Sequence, residues 1–362
     1  MVLAKQWIMK TEPQPGHPFN FDKNSDDATF ELIEKELKEE DLAEGEVLVE
    51  TEYLSNDPAQ KFWIASIDKN YAKGLSKGEV VTARGIGKVL ASKDPKIKVG
   101  DYVSGRTGWT THCILKDTPG LELAVLDMTD VKDPSWYLSI LGGTALTAYF
   151  IFYNYAELQE RESDYNKTYL ITGAAGAIGT ISIQLALHAF KAKKVIAVAG
   201  GPDKVKFVES FGDRVVGVDY KDPNFKENLL KASGGPNTVD YFIDNVGGDL
   251  LDLGTILLKV RGYILACGSI SGYNDPTKLV YKYYGAVVTK RLTIKGLLLM
   301  DNKEKFPEGY KKLKQMIKDG EIDISKAATI KDASGVNFVD VPDIWNGLFS
   351  GANKGKLISK VH

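Results

Sequence analysis

The first part of the chain shows the alternation of apolar and polar positions that is typical of half-buried β-strands. Residues 45–53 alternate in this way, and residues 2–9 and 30–37 also predict strands, although the last segment contains glutamates. Further short runs with glycine punctuation lie at 80–91, 99–103 and 109–115. Many short strands separated by glycines favour a small, partly closed barrel.

The pattern changes after residue 134, where strand-like apolar runs begin to alternate with runs of helical periodicity. The strand runs lie at 168–171, 195–199, 215–218, 239–245 and 262–267, and the helical runs at 178–190, 204–211, 225–232 and 250–259. This alternation predicts an α/β fold with a doubly wound parallel sheet of the Rossmann type.

The C-terminal residues return to mixed signals. They predict, in order, a long tyrosine-rich helix at 278–290, a strand at 292–300, an amphipathic helix at 306–318, strand signals over 322–339, a short helix at 342–349 and a strand at 356–361. The last fifty or so residues are too few for a second complete core, so we expect them to rejoin the first domain. The predicted organisation is a Rossmann domain at 135–304 inserted into a β-rich domain made of 1–134 and 305–362.

A strand run, a glycine turn and a helical run follow one another directly in residues 168–190. Gly173, Gly176 and Gly179 would let the backbone approach a pyrophosphate, with the helix N-terminus facing the negative charge. Their spacing is G-x-x-G-x-x-G, not G-x-G-x-x-G, and small residues also occur where a helix merely packs tightly on a strand. The order of strand, turn and helix favours a dinucleotide-binding unit.

The end of the second strand indicates which dinucleotide. An NAD enzyme carries Asp or Glu there, to bind the ribose hydroxyls. This chain instead has Gly200, Gly201, Pro202, Asp203 and Lys204. A lysine suits a 2′-phosphate, which a carboxylate would repel. Asp203 opposes this interpretation but also suits the first turn of a helix, and Lys204 could simply be a solvated helix residue. The pattern favours NADP.

Composition narrows the class of protein. The 362 residues are 43% hydrophobic and 26% charged with a net charge of −2, which predicts two soluble globular domains and no nucleic-acid partner. Cys113 and Cys267 have no metal-type spacing, and a lone histidine such as His112 is more often structural than catalytic. This spacing predicts no metal site. Because no apolar stretch reaches the length of a membrane span, we expect a cytoplasmic protein.

Longer motifs resemble those of the medium-chain dehydrogenase/reductase superfamily, in its zinc-free branch of prostaglandin reductases, leukotriene dehydrogenases and alkenal double-bond reductases. The resemblance runs nearly end to end. Its most specific motifs are Asp244-Asn-Val-Gly-Gly248 and Cys267-Gly-Ser-Ile-Ser-Gly-Tyr-Asn274. The others are Tyr53-Leu-Ser-Asn-Asp-Pro58, Gly108-Trp-Thr-Thr-His112, Leu146-Thr-Ala-Tyr-Phe150, Ala174-Ala-Gly-Ala-Ile-Gly179 and Asn353-Lys-Gly-Lys356. The resemblance implies a Rossmann domain inserted into a GroES-like partly closed barrel, and a homodimer.

The resemblance also implies an NADP(H) site. Lys204 would contact the 2′-phosphate, Tyr220 would lie near the adenosine phosphate, and Tyr273 would lie beside the nicotinamide ribose and the substrate oxygen. The other implied cofactor residues are Gly173, Ala175, Gly176, Ala177, Ile178, Gly179, Gly200, Asn245, Cys267, Gly268, Ser269, Leu297, Leu298, Leu299 and Asn353. Purely structural roles for some of these residues stay open: Tyr220 could merely end a strand, Asn245 could form a turn, and residues 297–299 could be core.

The implied reaction is reduction of the carbon–carbon double bond of an enal or enone, with hydride added at the β-carbon and a proton at the α-carbon. Tyr273 would donate a hydrogen bond to the enolate oxygen. One departure concerns the substrate pocket, for which the implied residues are Asn56, Ala59 and Tyr71: Ala59-Gln60-Lys61 replaces the family's Tyr-Met-Arg. Two alternatives stay open: a zinc-free quinone oxidoreductase, which would share the fold and cofactor, and a non-enzymatic NADPH-binding protein, which the altered pocket at Ala59 suggests.

Overall fold

The computed structural model describes residues 1–13, 19–65, 74–118 and 122–362. They form two compact units: the β-rich unit (1–138, 329–352 and 357–362) and the Rossmann unit (139–328 and 353–356). This division differs from the predicted domains, which assigned 305–328 and 353–356 to the β-rich part. Residues 305–328 pack with the Rossmann unit because the Phe306 ring stacks on that of Phe150, with ring centroids 6.0 Å apart.

Within the described residues, strands are numbered β1–β15 and α-helices α1–α9 in chain order. The β-rich unit contains an antiparallel pair, β1 (Val2–Met9) with β2 (Phe30–Leu37), and a seven-stranded sheet. That sheet has the order β14-β15-β3-β4-β5-β7, with β6 paired to β3. Its strands are β3 (Glu46–Asn56), β4 (Gly85–Ser92), β5 (Tyr102–Gly105), β6 (His112–Lys116), β7 (Ala124–Val125), β14 (Ala328–Asp332) and β15 (Lys356–Lys360). The helices of this unit are α1 (Gln60–Ala65) and α9 (Val341–Ser350).

An aromatic cluster joins the N-terminal and C-terminal parts of the β-rich unit. The buried rings of Trp109 and Trp345 meet edge to face, with their centroids 5.8 Å apart. The indole of Trp7 donates a hydrogen bond to the carbonyl of Phe338 at 3.0 Å, and that of Trp345 donates to Asp57 at 2.9 Å. Burial of such large rings is a main source of the unit's stability, and it explains why the C-terminal segment returns to this core.

The Rossmann unit is built on a parallel six-stranded sheet of order β10-β9-β8-β11-β12-β13. The strands are β8 (Thr168–Ile171), β9 (Lys194–Ala199), β10 (Val215–Asp219), β11 (Val239–Asp244), β12 (Leu258–Ala266) and β13 (Thr293–Gly296). The helices are α2 (Gly143–Phe150), α3 (Ala177–Gln184), α4 (Pro202–Glu209), α5 (Phe225–Ser233), α6 (Gly248–Leu257), α7 (Tyr284–Lys290) and α8 (Phe306–Lys318). The predicted fold class, a doubly wound parallel sheet combined with a β-rich domain, is confirmed.

Several secondary-structure predictions were wrong in length, among them the strand predicted at 292–300, which spans only Thr293–Gly296. The helix predicted at 278–290 begins only at Tyr284, because the Asp252 carboxylate accepts the backbone N–H groups of Lys282 and Tyr283, at 2.8 and 3.3 Å, and holds a turn there. The strand signals over 322–339 correspond to a strand only at Ala328–Asp332, followed by a 3-10 helix at Gly335–Asp340.

Candidate cofactor site

The glycine turn lies between β8 and α3, as predicted. Gly173 has a φ of +61°, a backbone conformation that residues with a side chain rarely adopt. A Cβ on Gly179 would lie 2.5 Å from the Cα of Ala174. The glycines therefore serve both tight helix packing and the turn. Gly176 precedes α3 and has no side chain to accept the first N–H groups of the helix, those of Ala177 and Ile178 among them. These N–H groups suit an anion.

The C-terminal segment 353–356 pairs with this turn inside the Rossmann unit. The N–H of Gly355 donates to the carbonyl of Ala175 at 2.8 Å, and Gly176 and Gly355 form an isolated parallel bridge. The Asn353 amide donates to the Gly355 carbonyl at 2.6 Å. Asn353, which the sequence places far from the glycine turn, is therefore held next to it.

Asp244 organises the turn after β11. The buried carboxylate accepts the Thr172 hydroxyl at 2.8 Å and the N–H groups of Val246 and Gly247 at 3.0 and 3.1 Å. Burial raises the pKa of Asp244, while these hydrogen bonds act in the opposite direction. Sequence reasoning missed Asp244 as a structural residue, although it opens the motif on which the resemblance rested.

Asn245 lies in this turn, and Thr172 holds its side chain. Its side-chain N–H donates to the carbonyl of Thr172 at 2.7 Å, so the amide plane is fixed. Within the described residues, its buried Oδ1 accepts no hydrogen bond. A buried acceptor without a hydrogen bond lowers the stability of the folded protein, and a bound ligand that donates a hydrogen bond would remove this cost.

The loop after β12 lies against the same turn. The N–H groups of Cys267 and Gly268 donate to the Asp244 carbonyl at 2.9 and 3.1 Å, and a Cβ on Gly268 would lie 2.9 Å from the Asn245 carbonyl oxygen. Burial, with the nearby charge of Asp244, raises the pKa of Cys267 to about 12, so the thiol stays protonated at neutral pH. Ser269 and Tyr273 follow on this loop and are both half-buried.

Residues 297–299 are not buried core. Leu298 is 50% exposed, and Leu297 and Leu299 are only partly buried. The Leu297 N–H donates to the carbonyl of Ala266 at 3.3 Å, and the Asn302 side chain donates to the carbonyl of Leu298 at 3.2 Å. The first of these hydrogen bonds holds the segment at the end of β12, immediately before the loop that contains Cys267.

Lys204 lies in the first turn of α4 and is half-buried. Burial lowers its pKa, and repulsion by the charges of Lys221 and Lys354 lowers it further. Gly200 contacts the Tyr220 ring so closely that a Cβ would lie 2.6 Å from it. The structure therefore brings Gly200, Lys204 and Tyr220 together as the resemblance implied. It adds Lys221 and Lys354, which sequence reasoning missed although both stand beside residues that it named.

The residues proposed for the substrate pocket belong to the β-rich unit, except that Tyr71 lies outside the described residues. Asn56 is buried and donates to the Ser359 hydroxyl at 2.9 Å, and Ala59 is partly exposed just before α1. Lys61 is buried, with its ammonium group 5.5 Å from the ring centroid of Phe19, and burial lowers its pKa. Because the Gln60 and Lys61 side chains are buried, Ala59 is the one residue of the altered tripeptide that can shape an open surface.

Among the described residues, no group of three His, Cys, Asp or Glu side chains is placed to hold a metal ion. His112 contacts Glu50 instead, with Nε2 and Oε1 3.5 Å apart. Burial lowers the pKa of His112, against the opposing effect of Glu50.

Two family models match the chain: the N-terminal domain of oxidoreductase over residues 5–123, and zinc-binding dehydrogenase over 177–315. A Saccharomyces cerevisiae protein named "Uncharacterized membrane protein YML131W" is 62% identical over 100% of this chain and 99% of its own length. The NADP(+)-dependent 2-alkenal reductase of Nicotiana tabacum is 31% identical over 99% of this chain and 98% of its own. Prostaglandin reductase 1 of Bos taurus is 31% identical over 99% of this chain and 100% of its own length.

Among solved structures, CurA from Vibrio vulnificus in complex with NADPH has a TM-score of 0.83 and 25% identity, covering 99% of each chain. The chain thus belongs to the medium-chain dehydrogenase/reductase superfamily, in the zinc-free branch that includes 2-alkenal and prostaglandin reductases. This membership confirms the predicted family and makes the protein an oxidoreductase. In the part of the chain that the structure describes, no helix combines the length and hydrophobicity that crossing a bilayer requires.

Proposed function

We propose that this protein reduces the carbon–carbon double bond of α,β-unsaturated aldehydes or ketones with NADPH. The proposal rests on one observation: the Rossmann unit contains the glycine turn, the unsatisfied Asn245 oxygen and a lysine cluster around Lys204. NADP(H) is the cofactor of the 2-alkenal reductase relative and is bound in the CurA structure, which supports the same cofactor here. The names of the 2-alkenal and prostaglandin reductases support the substrate class.

The residues present fit this cofactor. The N–H groups of the glycine turn and of the start of α3 bind the pyrophosphate, and Lys204 binds the 2′-phosphate. Asn245, the loop 267–273 and residues 297–299 line the nicotinamide half, with the fixed Asn245 amide accepting a hydrogen bond from the ligand. In this reaction NADPH supplies the hydride that reduces the β-carbon.

The protein's contribution to the chemical step is orientation and electrostatics. The Tyr273 hydroxyl donates a hydrogen bond to the substrate carbonyl oxygen, where negative charge develops as the β-carbon is reduced. Solvent then supplies the proton to the α-carbon. The protonated Cys267 thiol is no nucleophile at neutral pH, so it lines the loop without forming an adduct.

The purified protein should therefore oxidise NADPH in the presence of enals and enones and release saturated carbonyl compounds, with much weaker use of NADH. The measurement is NADPH oxidation and product analysis over a panel of enals, enones and quinones, with NADH in parallel. Turnover of quinones alone would instead indicate a quinone oxidoreductase. Tight NADPH binding without turnover of any compound would contradict an enzymatic role on this panel.

We propose further that the protein is a homodimer, associated through an apolar surface of the Rossmann unit. β13 stands at the edge of the six-stranded sheet, and an edge strand offers unpaired backbone groups to a partner. Outside the proposed cofactor site, the exposed apolar side chains on and near it are Tyr284 and Val288 of α7, Ile294 of β13, and Met300 after it. Val288 is 68% exposed and Ile294 44%, and such clustered exposure is typical of an interface.

Replacement of Val288 or Ile294 by glutamate should convert a dimer into a monomer, because burying an unpaired carboxylate at an apolar contact is costly. Light scattering after size-exclusion chromatography would measure the mass. Val336→Glu is the matched control: Val336 is 82% exposed but belongs to the β-rich unit, so its replacement should leave the dimer intact. A monomeric wild-type protein would contradict the proposal.

We also place the protein in the cytoplasm. The near-neutral charge and the two cysteines that are not joined in a disulfide support this location. The name of the Saccharomyces relative points instead to a membrane, and recovery of this protein in the membrane fraction of disrupted cells would contradict a cytoplasmic location.

A further inference from the structure

Three lysines from distant parts of the sequence lie around the start of α4. Lys204 belongs to its first turn, and Lys221 follows the end of β10. The N–H groups of Gly201 and Lys221 both donate to Asp219 Oδ1, at 2.8 and 2.9 Å, which ties the loop before α4 to the loop after β10. The backbones that carry Lys204 and Lys221 are thereby fixed to each other.

Lys354 reaches the same place from the C-terminal segment. Its ammonium nitrogen lies 5.7 Å from the ring centroid of Phe207. Phe207 follows Lys204 by three residues, so the two side chains share one face of α4. The backbone next to Lys354 is anchored at the glycine turn through the hydrogen bond from Gly355 to Ala175. Lys354 therefore connects the glycine turn with the face of α4 that carries Lys204.

Two of these three lysines, Lys204 and Lys221, form no ion pair with a carboxylate of the described residues. Burial lowers the pKa of Lys204, and the nearby charges of Lys221 and Lys354 lower it further. Asp219 directs its carboxylate to backbone N–H groups, and Asp203 is exposed at the start of α4. Because Lys204 and Lys221 carry like charges at one place, a bound anion would stabilise this site.

We propose that Lys354, together with Lys221, completes the 2′-phosphate site of Lys204 and thereby determines specificity for NADPH over NADH; this inference rests on the proposed use of NADPH. A phosphate dianion can accept hydrogen bonds from all three ammonium groups, whereas the ribose hydroxyl of NADH offers no charge to them. The C-terminal segment thus takes part in choosing the cofactor, in addition to the strand end that normally does so.

The test compares Lys354→Met with wild type in the full-length protein, by measuring the Kd of NADPH and of NADH at one fixed ionic strength. Methionine keeps an apolar stem on Phe207 and removes only the charge. We expect the NADPH Kd to rise about 10-fold, as loss of one charge-assisted hydrogen bond predicts, and the NADH Kd to change by less than about 2-fold. Lys354→Arg should retain the preference for NADPH.

Lys206→Met is the matched control, because Lys206 is exposed on α4 two residues after Lys204 and points to a different face. It should change neither Kd. A wild-type protein without preference for NADPH would refute the proposed cofactor and this inference with it. If the wild type prefers NADPH but Lys354→Met keeps the full preference, or weakens both cofactors equally, only the role of Lys354 is refuted.

Discussion

Replacing Gly179 with alanine is expected to weaken NADPH binding severely and to lower the thermal stability of the Rossmann unit. A Cβ at this position would lie 2.5 Å from both the Ala174 Cα and the Gly173 carbonyl oxygen. These are backbone atoms of the glycine turn, so the clash cannot be relieved by a side-chain rotation. Overpacking of this kind costs about 3 kcal/mol, and moving the turn to relieve it would raise the NADPH Kd by about 100-fold or more.

Gly285→Ala provides the matched control for this substitution. Gly285 also lies in a helix, α7, but apart from its chain neighbours and its own helix backbone, no atom of the described residues is within 4 Å of the position that its Cβ would occupy. Alanine there should preserve NADPH binding and stabilise the helix by about 0.5–1 kcal/mol. The two variants are compared by thermal unfolding followed by circular dichroism and by titration with NADPH. Wild-type NADPH affinity in Gly179→Ala would show that the close approach of α3 to the turn is not required.

The sequence was sufficient for features that depend on local periodicity and on neighbouring residues. The helix predicted at 306–318 has the observed bounds Phe306–Lys318, because its apolar positions follow one face through thirteen residues. The glycine turn was also placed correctly, since strand, turn and helix follow one another without interruption. The side on which this helix packs was not predictable, because the Phe306–Phe150 contact joins segments that local patterns cannot relate.

The same limit applies to the candidate cofactor site. Lys204 could be proposed from the sequence because a missing carboxylate at a strand end is visible there. Lys354 was not, because its relation to Lys204 depends on the hydrogen bond between Gly355 and Ala175, which only the folded chain contains. Residues 297–299 show a related ambiguity: three leucines in a row are compatible with core or with a ligand surface, and only the observed exposure of Leu298 decided against core.

Tyr273→Phe is expected to lower kcat for enone reduction by about 100-fold, the usual loss when one donor to a developing oxyanion is removed. Tyr273 follows the 3-10 turn Ile270–Gly272, which the Ser271 hydroxyl fixes by donating to the Val246 carbonyl at 2.7 Å. Phenylalanine keeps the ring and removes only the hydroxyl, so the loop and the NADPH Kd should be preserved within about twofold. Steady-state kinetics with a saturating enone, together with an NADPH titration, measures both quantities.

Tyr283→Phe serves as the corresponding control, because Tyr283 is 42% exposed just before α7 and has no proposed part in the reaction. The split between kcat and cofactor affinity is the decisive result, since a merely structural tyrosine would change both together or neither. An unchanged kcat in Tyr273→Phe would assign the stabilisation of the enolate oxygen to another donor. A rise in KM alone would mean that the hydroxyl binds substrate and transition state equally, and Tyr273 would then be a binding residue without a catalytic role.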